Sequence, residues 1–305
     1  MKEKLLIIGT GSLTGSKLYF QSQKYFDVRG SYNTRYPEHD DLKCQQLDIT
    51  KYDKVREFIT LNNPDYVINT AALNNVDYCE KFPKSSFEIN FHAVTNLSQV
   101  CKDHKIKLIH LSTDSIFDGE KKSPYNENDT PNPINVYGQT KFLSEQEVLK
   151  NSKNLVIRAS VLYGWLPKEL ASKQTSSLKP QNFAQWLITS LQKNEKIKII
   201  SDEYSSPILA DDFASSILHL ILKNQSGIFH SAPNLSISRF EFSIKLAKKL
   251  ELNHELISSI KNNQLGRNVK TALNKSLNSK KLQLTGFTFL NLEESFELIK
   301  KQINY

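Results

Sequence analysis

LIIGTGSLTGSKL, residues 6–18, decides how this chain is read. The apolar run Leu5, Leu6, Ile7 and Ile8 stops at Gly9; Gly11 and Gly15 follow, and a helical pattern begins. In α/β proteins a glycine-rich turn between strand and helix lets backbone approach a pyrophosphate. Its glycines serve the tight turn, the close approach and the packing of helix on strand. Neither usual spacing is met here. G-x-x-G-x-x-G would need glycine at Ser12, and G-x-G-x-x-G would need it at Thr14. Alone, the turn suits a nucleotide site and a plain tight turn equally.

Outward from that turn the same alternation repeats. Apolar runs at 4–8, 27–32, 65–69, 106–111 and 154–159 alternate with helical patterns at 13–24, 51–62, 84–104 and 135–150. This rhythm predicts an α/β fold: a Rossmann-type, doubly wound parallel sheet that binds ligands at the carboxyl ends of its strands. After about residue 160 the rhythm breaks. Residues 165–181 are polar, rich in Ser and Lys, and read as a loop over the ligand, with Lys168 and Lys173 aimed at phosphates. Helical patterns return at 182–193, 210–224, 238–251 and 291–303, with short strands at 196–200 and 227–231. We expect residues 1–160 to form the cofactor-binding domain. Residues 161–305 then form mainly a smaller substrate lobe, interleaved with the sheet in one compact unit.

The 305 residues are 39% hydrophobic and 24% charged, a composition typical of a globular protein, and no apolar run reaches the ~18 residues of a membrane span. The formal charge is +8, but Lys and Arg are scattered and not interleaved with stacking aromatics, which argues against a nucleic-acid partner. A dispersed positive surface suits a phosphate-bearing substrate. Cys44, Cys79 and Cys101 have no metal or disulfide spacing and read as free thiols in a reducing cytoplasm.

The run 106–111 leads directly into Ser112, Thr113 and Asp114. Twenty-four residues after Thr113 comes YGQTK, with Tyr137 and Lys141 four apart on one helix face. An ammonium beside a phenol favours the phenolate, and a nearby hydroxyl can hold a reacting oxygen, so Tyr137 is a candidate proton donor. Y-x-x-x-K by itself is an ordinary surface pair. Its conjunction with a strand-end hydroxyl and an N-terminal glycine turn points to catalysis.

On these residues the chain resembles the extended short-chain dehydrogenase/reductase superfamily, and more closely the dTDP-4-dehydrorhamnose reductase family. The matching segments are VINTAALNNVDYCE (67–80), LSTDSIFDG (111–119), PYNENDTPNPINVYGQTKFLSE (124–145), SSPILADDFA (205–214) and ISRFEFSIKLA (237–247). The resemblance implies NADPH-dependent reduction of the 4-keto group of a nucleotide-activated deoxysugar, with Thr113, Tyr137 and Lys141 as the catalytic trio. It implies cofactor contacts at Gly9, Gly11, Ser12, Leu13, Gly15, Asp48, Ile49, Ala71 and Ala72. In this alignment Ser12 replaces the middle glycine and offers its N–H and hydroxyl to the pyrophosphate. Asp48 lies where the family contacts adenine, and it reads equally well as a helix cap. Substrate contacts fall at Asp114, Val161, Trp165, Asn182 and Pro207. Val161 stands where the family often has a Trp, and Trp165 is expected to supply the missing apolar face.

The tip of the second strand, SYNTRY (31–36), has no acid to bind a ribose 2′-hydroxyl. Arg35, with Arg29 as helper, therefore marks a site for the NADPH 2′-phosphate. Lys17 occupies the place where some relatives use a Glu to bind Mg²⁺, so metal independence is expected. The resemblance also allows a homodimer. Two other activities share these motifs: an NADP-binding regulatory subunit like that of methionine adenosyltransferase, and a nucleotide-sugar epimerase or dehydratase. Asp114 keeps the dehydratase open.

Overall fold

The computed structural model describes residues 2–34, 43–166, 182–264, 266 and 269–303. Arg35, Lys168, Lys173 and nearly all of the expected loop 165–181 lie outside the described residues. A parallel sheet of seven strands organises the rest: β1 (Lys4–Ile8), β2 (Asp27–Tyr32), β3 (Cys44–Gln46), β4 (Tyr66–Asn69), β5 (Lys107–Thr113), β6 (Leu155–Ala159) and β7 (Gly227–Ser231). Their order across the sheet is β7-β6-β5-β4-β1-β2-β3. Every pairing in it is parallel.

Parallel strands are covered on both faces, and so read as continuous apolar runs. In β1, Leu5 and Ile7 face a cluster with α1 (Leu13–Ser22) and the helix Ala210–Leu222. Leu6 and Ile8 face the opposite cluster, with α2 (Tyr52–Asn62) and α5 (Ala93–Asp103). A third cluster fills the C-terminal half, where Tyr163, Leu246 and Phe296 are buried. The short parallel pair Ile197–Ile200 and Ile257–Ile260 lies over it. Among the described residues no helix is long and apolar enough to cross a membrane.

Three details differ from the sequence reading. The edge strand β3 has three residues, half-buried or exposed, and so shows no apolar pattern. The expected helix 84–104 is divided into α4 (Pro83–Phe87), a π-helical turn, Glu88–His92, and α5, and a short helix α3 (Val76–Lys81) that the pattern did not show precedes it. Strand β5 continues to Thr113, which carries the hydroxyl into the sheet's carboxyl edge.

Behind the sheet edge, helix α6 (Val136–Leu149) is tied to β6 by a buried ion pair. Arg158 Nε and Nη2 donate to Glu145 Oε1 and Oε2 at 3.0 and 2.8 Å. The guanidinium lies over the Phe117 ring, 5.5 Å from its centroid, and beside His230. Burial and that guanidinium push the His230 imidazole down to about 3, which keeps it neutral. Removing one partner of a buried pair strands the other charge. Arg158→Met should therefore cost about 3–5 kcal/mol in urea unfolding. Arg158→Met with Glu145→Leu should recover most of that loss.

Candidate active site

Strands β1 and β4 are neighbours, but the chain leaves β1 toward β2 and reaches β4 later. Their carboxyl ends thus open a crevice where the strand order reverses, the usual ligand site of such sheets. A cavity of about 810 Å³ lies there. Gly9, Gly11, Ser12 and Leu13 line it from the glycine turn, Tyr32, Asn33 and Thr34 from the end of β2, Asp48 and Ile49 beyond β3, and Ala71 and Ala72 beyond β4.

The turn is closed by sterics. Gly9 has φ +93°, and a Cβ on Gly15 would stand 2.2 Å from the Gly9 carbonyl oxygen. Ser12 behaves differently from expectation. Its N–H donates to Gly9 O at 3.1 Å, and its hydroxyl donates to the same oxygen at 2.8 Å while accepting from Gly15 N at 3.0 Å. Both Ser12 donors serve the turn and the cap of α1, not an incoming pyrophosphate. The first turn of α1 holds no acidic residue, so the helix terminus still favours an anion.

Asp48 is not the cap of α2, whose N-cap is Lys51. Its carboxylate folds back on Thr50, accepting from N at 3.0 Å and Oγ1 at 2.7 Å, on the cavity wall. Asn90 in the π turn fixes the opposite wall. It accepts from Leu73 N at 2.8 Å and donates to Leu73 O at 2.9 Å, holding the segment after β4 in place. Single-turn π bulges often occur at functional sites. Arg29 donates to Asn62 Oδ1, so it is spent on α2. Lys17 pairs with Asp211 at 3.0 Å.

Thr113, Tyr137 and Lys141 are brought together by β5 and α6. Asn135 caps α6 by accepting from Gly138 N at 2.9 Å, which sets the helix with Tyr137 toward the end of β5. Burial raises the Tyr137 phenol well above its ordinary value, against a weaker opposing effect from the Thr113 hydroxyl. Lys141 stands one turn further along the same helix. The ammonium lies deeper, donating to Leu111 O at 2.6 Å with His110 Nε2 at 3.1 Å. Burial also brings Lys141 down to about 8.

Asp114 is held in the frame. Its Oδ1 receives Thr113 Oγ1 at 3.3 Å and Ser115 Oγ at 3.2 Å; its Oδ2 receives Ser160 Oγ at 2.8 Å. The Lys275 ammonium stands 3.6 Å from Oδ1. Nothing local in the sequence predicts Lys275, which reaches Ser115 across 160 positions. Val161 and Pro207 support the frame rather than the cavity wall: Val161 O accepts from Ile208 N at 2.9 Å, and Pro207 is buried. Trp165 packs on the C-terminal cluster. The indole on the cavity wall is Trp186, with Asn182, Phe183, Lys198 and Arg239 around it. Asn182 also caps its own helix, accepting from Gln185 N at 3.2 Å. Trp186 lies one helical turn beyond that cap, a spacing that marked it as a neighbour of Asn182.

The family described as RmlD substrate binding domain matches residues 3–303. A probable low-salt glycan biosynthesis reductase, Agl14, of Haloferax volcanii is 34% identical over 233 residues, covering 76% of this chain and 75% of that protein. The dTDP-4-dehydrorhamnose reductase of Aggregatibacter actinomycetemcomitans is 27% identical over 292 residues, 92% of each. The crystal structure of a dTDP-4-dehydrorhamnose reductase from Bacillus anthracis, in complex with NADP, superposes with a TM-score of 0.87 at 25% identity. It covers 99% of this chain and 100% of that one.

Because Gly15 admits no side chain, Gly15→Ala must push α1 off the turn. We expect NADPH affinity, read by fluorescence titration, to fall about tenfold or more, since the third glycine sets helix–strand packing at the pyrophosphate.

Proposed function

This chain belongs to the RmlD substrate binding domain family, and we propose on that basis how its residues carry out NADPH-dependent reduction of the 4-keto group of a nucleotide-activated deoxysugar. The observation that carries the reading is the placement of Thr113, Tyr137 and Lys141 together where β5 meets α6, at the same carboxyl edge of the sheet as the dinucleotide-sized cavity. The cavity fits an NADP cofactor. It has a glycine turn that backbone can close, an acid-free helix terminus, small residues Ala71 and Ala72, and no carboxylate at the end of β2.

In this reading Gly9, Gly11, Leu13 and the α1 terminus hold the pyrophosphate. Ile49 and Asp48 face the adenine, and Arg35 takes the 2′-phosphate. Bound NADPH supplies the hydride for the carbonyl carbon. Thr113, turning its hydroxyl proton from Asp114 Oδ1 to the substrate, orients the carbonyl oxygen, and Tyr137 delivers a proton to that oxygen as it gains charge. The phenol suits this task, because it carries its proton at neutral pH and desolvation raises it further above its ordinary value. Lys141 holds positive charge below the phenol and meets the nicotinamide ribose. A placed proton donor contributes about 10²–10⁴-fold. The far end of the cavity, with Asn182, Trp186, Lys198 and Arg239, receives the nucleotide of the substrate. With both oxygens of Asp114 bound to protein groups, reduction is favoured over the proton transfers a dehydratase needs.

The direct test is NADPH oxidation in the presence of a panel of nucleotide 4-keto sugars. Stoichiometric consumption is expected; retained and recycled cofactor would indicate an epimerase or dehydratase. Tyr137→Phe keeps the ring and loses the proton, so kcat should fall by about two decades or more while NADPH still binds. Arg35→Ala should raise the KM for NADPH and leave that for NADH nearly unchanged.

A further inference from the structure

Beneath the catalytic trio lies a titratable side chain that the mechanism above does not use. His110 on β5 is fully buried. Its Nε2 lies 3.1 Å from Lys141 Nζ and 3.0 Å from Ser144 Oγ, and its Nδ1 lies 3.4 Å from Asn69 Nδ2. The orientation of Asn69 follows from its other bond, since its Oδ1 accepts from Ala71 N at 3.1 Å. The amide nitrogen therefore faces the ring.

A neutral imidazole has one lone pair, and here two obligate donors compete for it. Burial and the Lys141 charge hold His110 well below its ordinary value, so the ring stays neutral. A hydrogen bond from a charged donor is roughly twice as strong as one between neutral groups. The Asn69 contact is also the longer of the two. The ammonium therefore takes the lone pair at Nε2, and the ring proton sits on Nδ1.

We propose that His110 is a positioning residue for the reduction: its Nε2, together with Leu111 O, holds the Lys141 ammonium below Tyr137, and its tautomer follows the charge on Lys141. When Lys141 loses a proton to solvent, the ring keeps its single proton but moves it to Nε2. From there it donates to Ser144 Oγ, whose own proton is on Lys141 O at 2.7 Å. The Nδ1 lone pair then accepts from Asn69. Only Lys141 changes charge. Asn69 sits between the ring and Ala71, so the same exchange reaches the cofactor wall.

The other groups around the pair are few. Helix α6 presents Glu145 to it, with Tyr137 one turn before Lys141, and Glu145 is neutralised by Arg158 of β6. Cys79 of α3 and Asp114 beyond β5 face Tyr137. Strand β4 contributes the Asn69 amide. Glu145 favours the Lys141 ammonium and burial opposes it, leaving Lys141 at about 8.

The inference rests on the reductase reading for its function, but its first test does not. Imidazole ¹⁵N shifts of His110 in the cofactor-free protein should show Nδ1–H at about pH 6 and Nε2–H at about pH 10, on either side of the Lys141 titration. Nε2–H throughout the range would overturn the proposal, whether or not any sugar is reduced. The second test is the pH profile of kcat/KM, which reports the free enzyme. His110→Phe removes the acceptor, so the ammonium is lost at lower pH. Activity should drop about tenfold at pH 8 and less than about threefold at pH 6, with the limb restored in His110→Gln. Parallel pH profiles for wild type and His110→Phe would overturn it as well. If His110→Phe does not fold, the ¹⁵N measurement on the wild-type protein decides.

Discussion

Three donors converge on one oxygen. The Gly9 carbonyl accepts from Ser12 N, Ser12 Oγ and Thr70 Oγ1, at 3.1, 2.8 and 3.0 Å. The first two bonds close the turn and begin α1. The third crosses the crevice to the end of β4, where Thr70 shares its one hydroxyl proton between Gly9 O and Ile8 O, the latter at 2.8 Å. One peptide group thus fixes where the strand stops, where the helix starts and how far apart the walls of the cavity stand. Ser12 replaces a glycine at this point because its hydroxyl adds a bond that a glycine cannot make. The turn gains rigidity from inside and leaves anion binding to the helix terminus.

The same economy of buried polar groups governs the catalytic edge. Asp114 lies beside Thr113 and Asn90 beside the cavity wall, yet their lone pairs and donors go to protein partners: Thr113, Ser115 and Ser160 for one, Leu73 for the other. Buried polar groups are costly when unpaired, so a site of this kind is held by residues that are saturated. In the proposed mechanism the groups left for chemistry are those whose burial shifts their proton affinity. Tyr137 is pushed toward its acid form and Lys141 toward release of its proton. Desolvation dominates both shifts, and it acts in opposite directions on a phenol and an ammonium.

The two halves of the chain share the sheet and the site. Strand β7 completes the sheet beside β6, and Lys275 reaches Asp114 from the last tenth of the chain. Asn182 and Trp186 close the cavity opposite the glycine turn. A substrate bridging these positions would touch both halves.

The sequence by itself determined the elements and their order. Apolar runs bounded by turn residues placed five strands within one or two residues, and the spacing of Tyr137 and Lys141 placed them on one helix face. These are local properties, carried by periodicity and by glycine. Strand β3 escaped because three half-exposed residues at an edge need no apolar pattern, and the π turn escaped because one extra residue in a helix leaves the periodicity almost unchanged. Tertiary structure alone decided what each polar side chain bonds to. It turned Ser12 inward, saturated Asp114, moved the cavity's indole from Trp165 to Trp186 and set His110 under Lys141. Those outcomes depend on which groups meet across tens to hundreds of residues. Every buried donor and acceptor must find its partner among them, a condition no single stretch of sequence expresses.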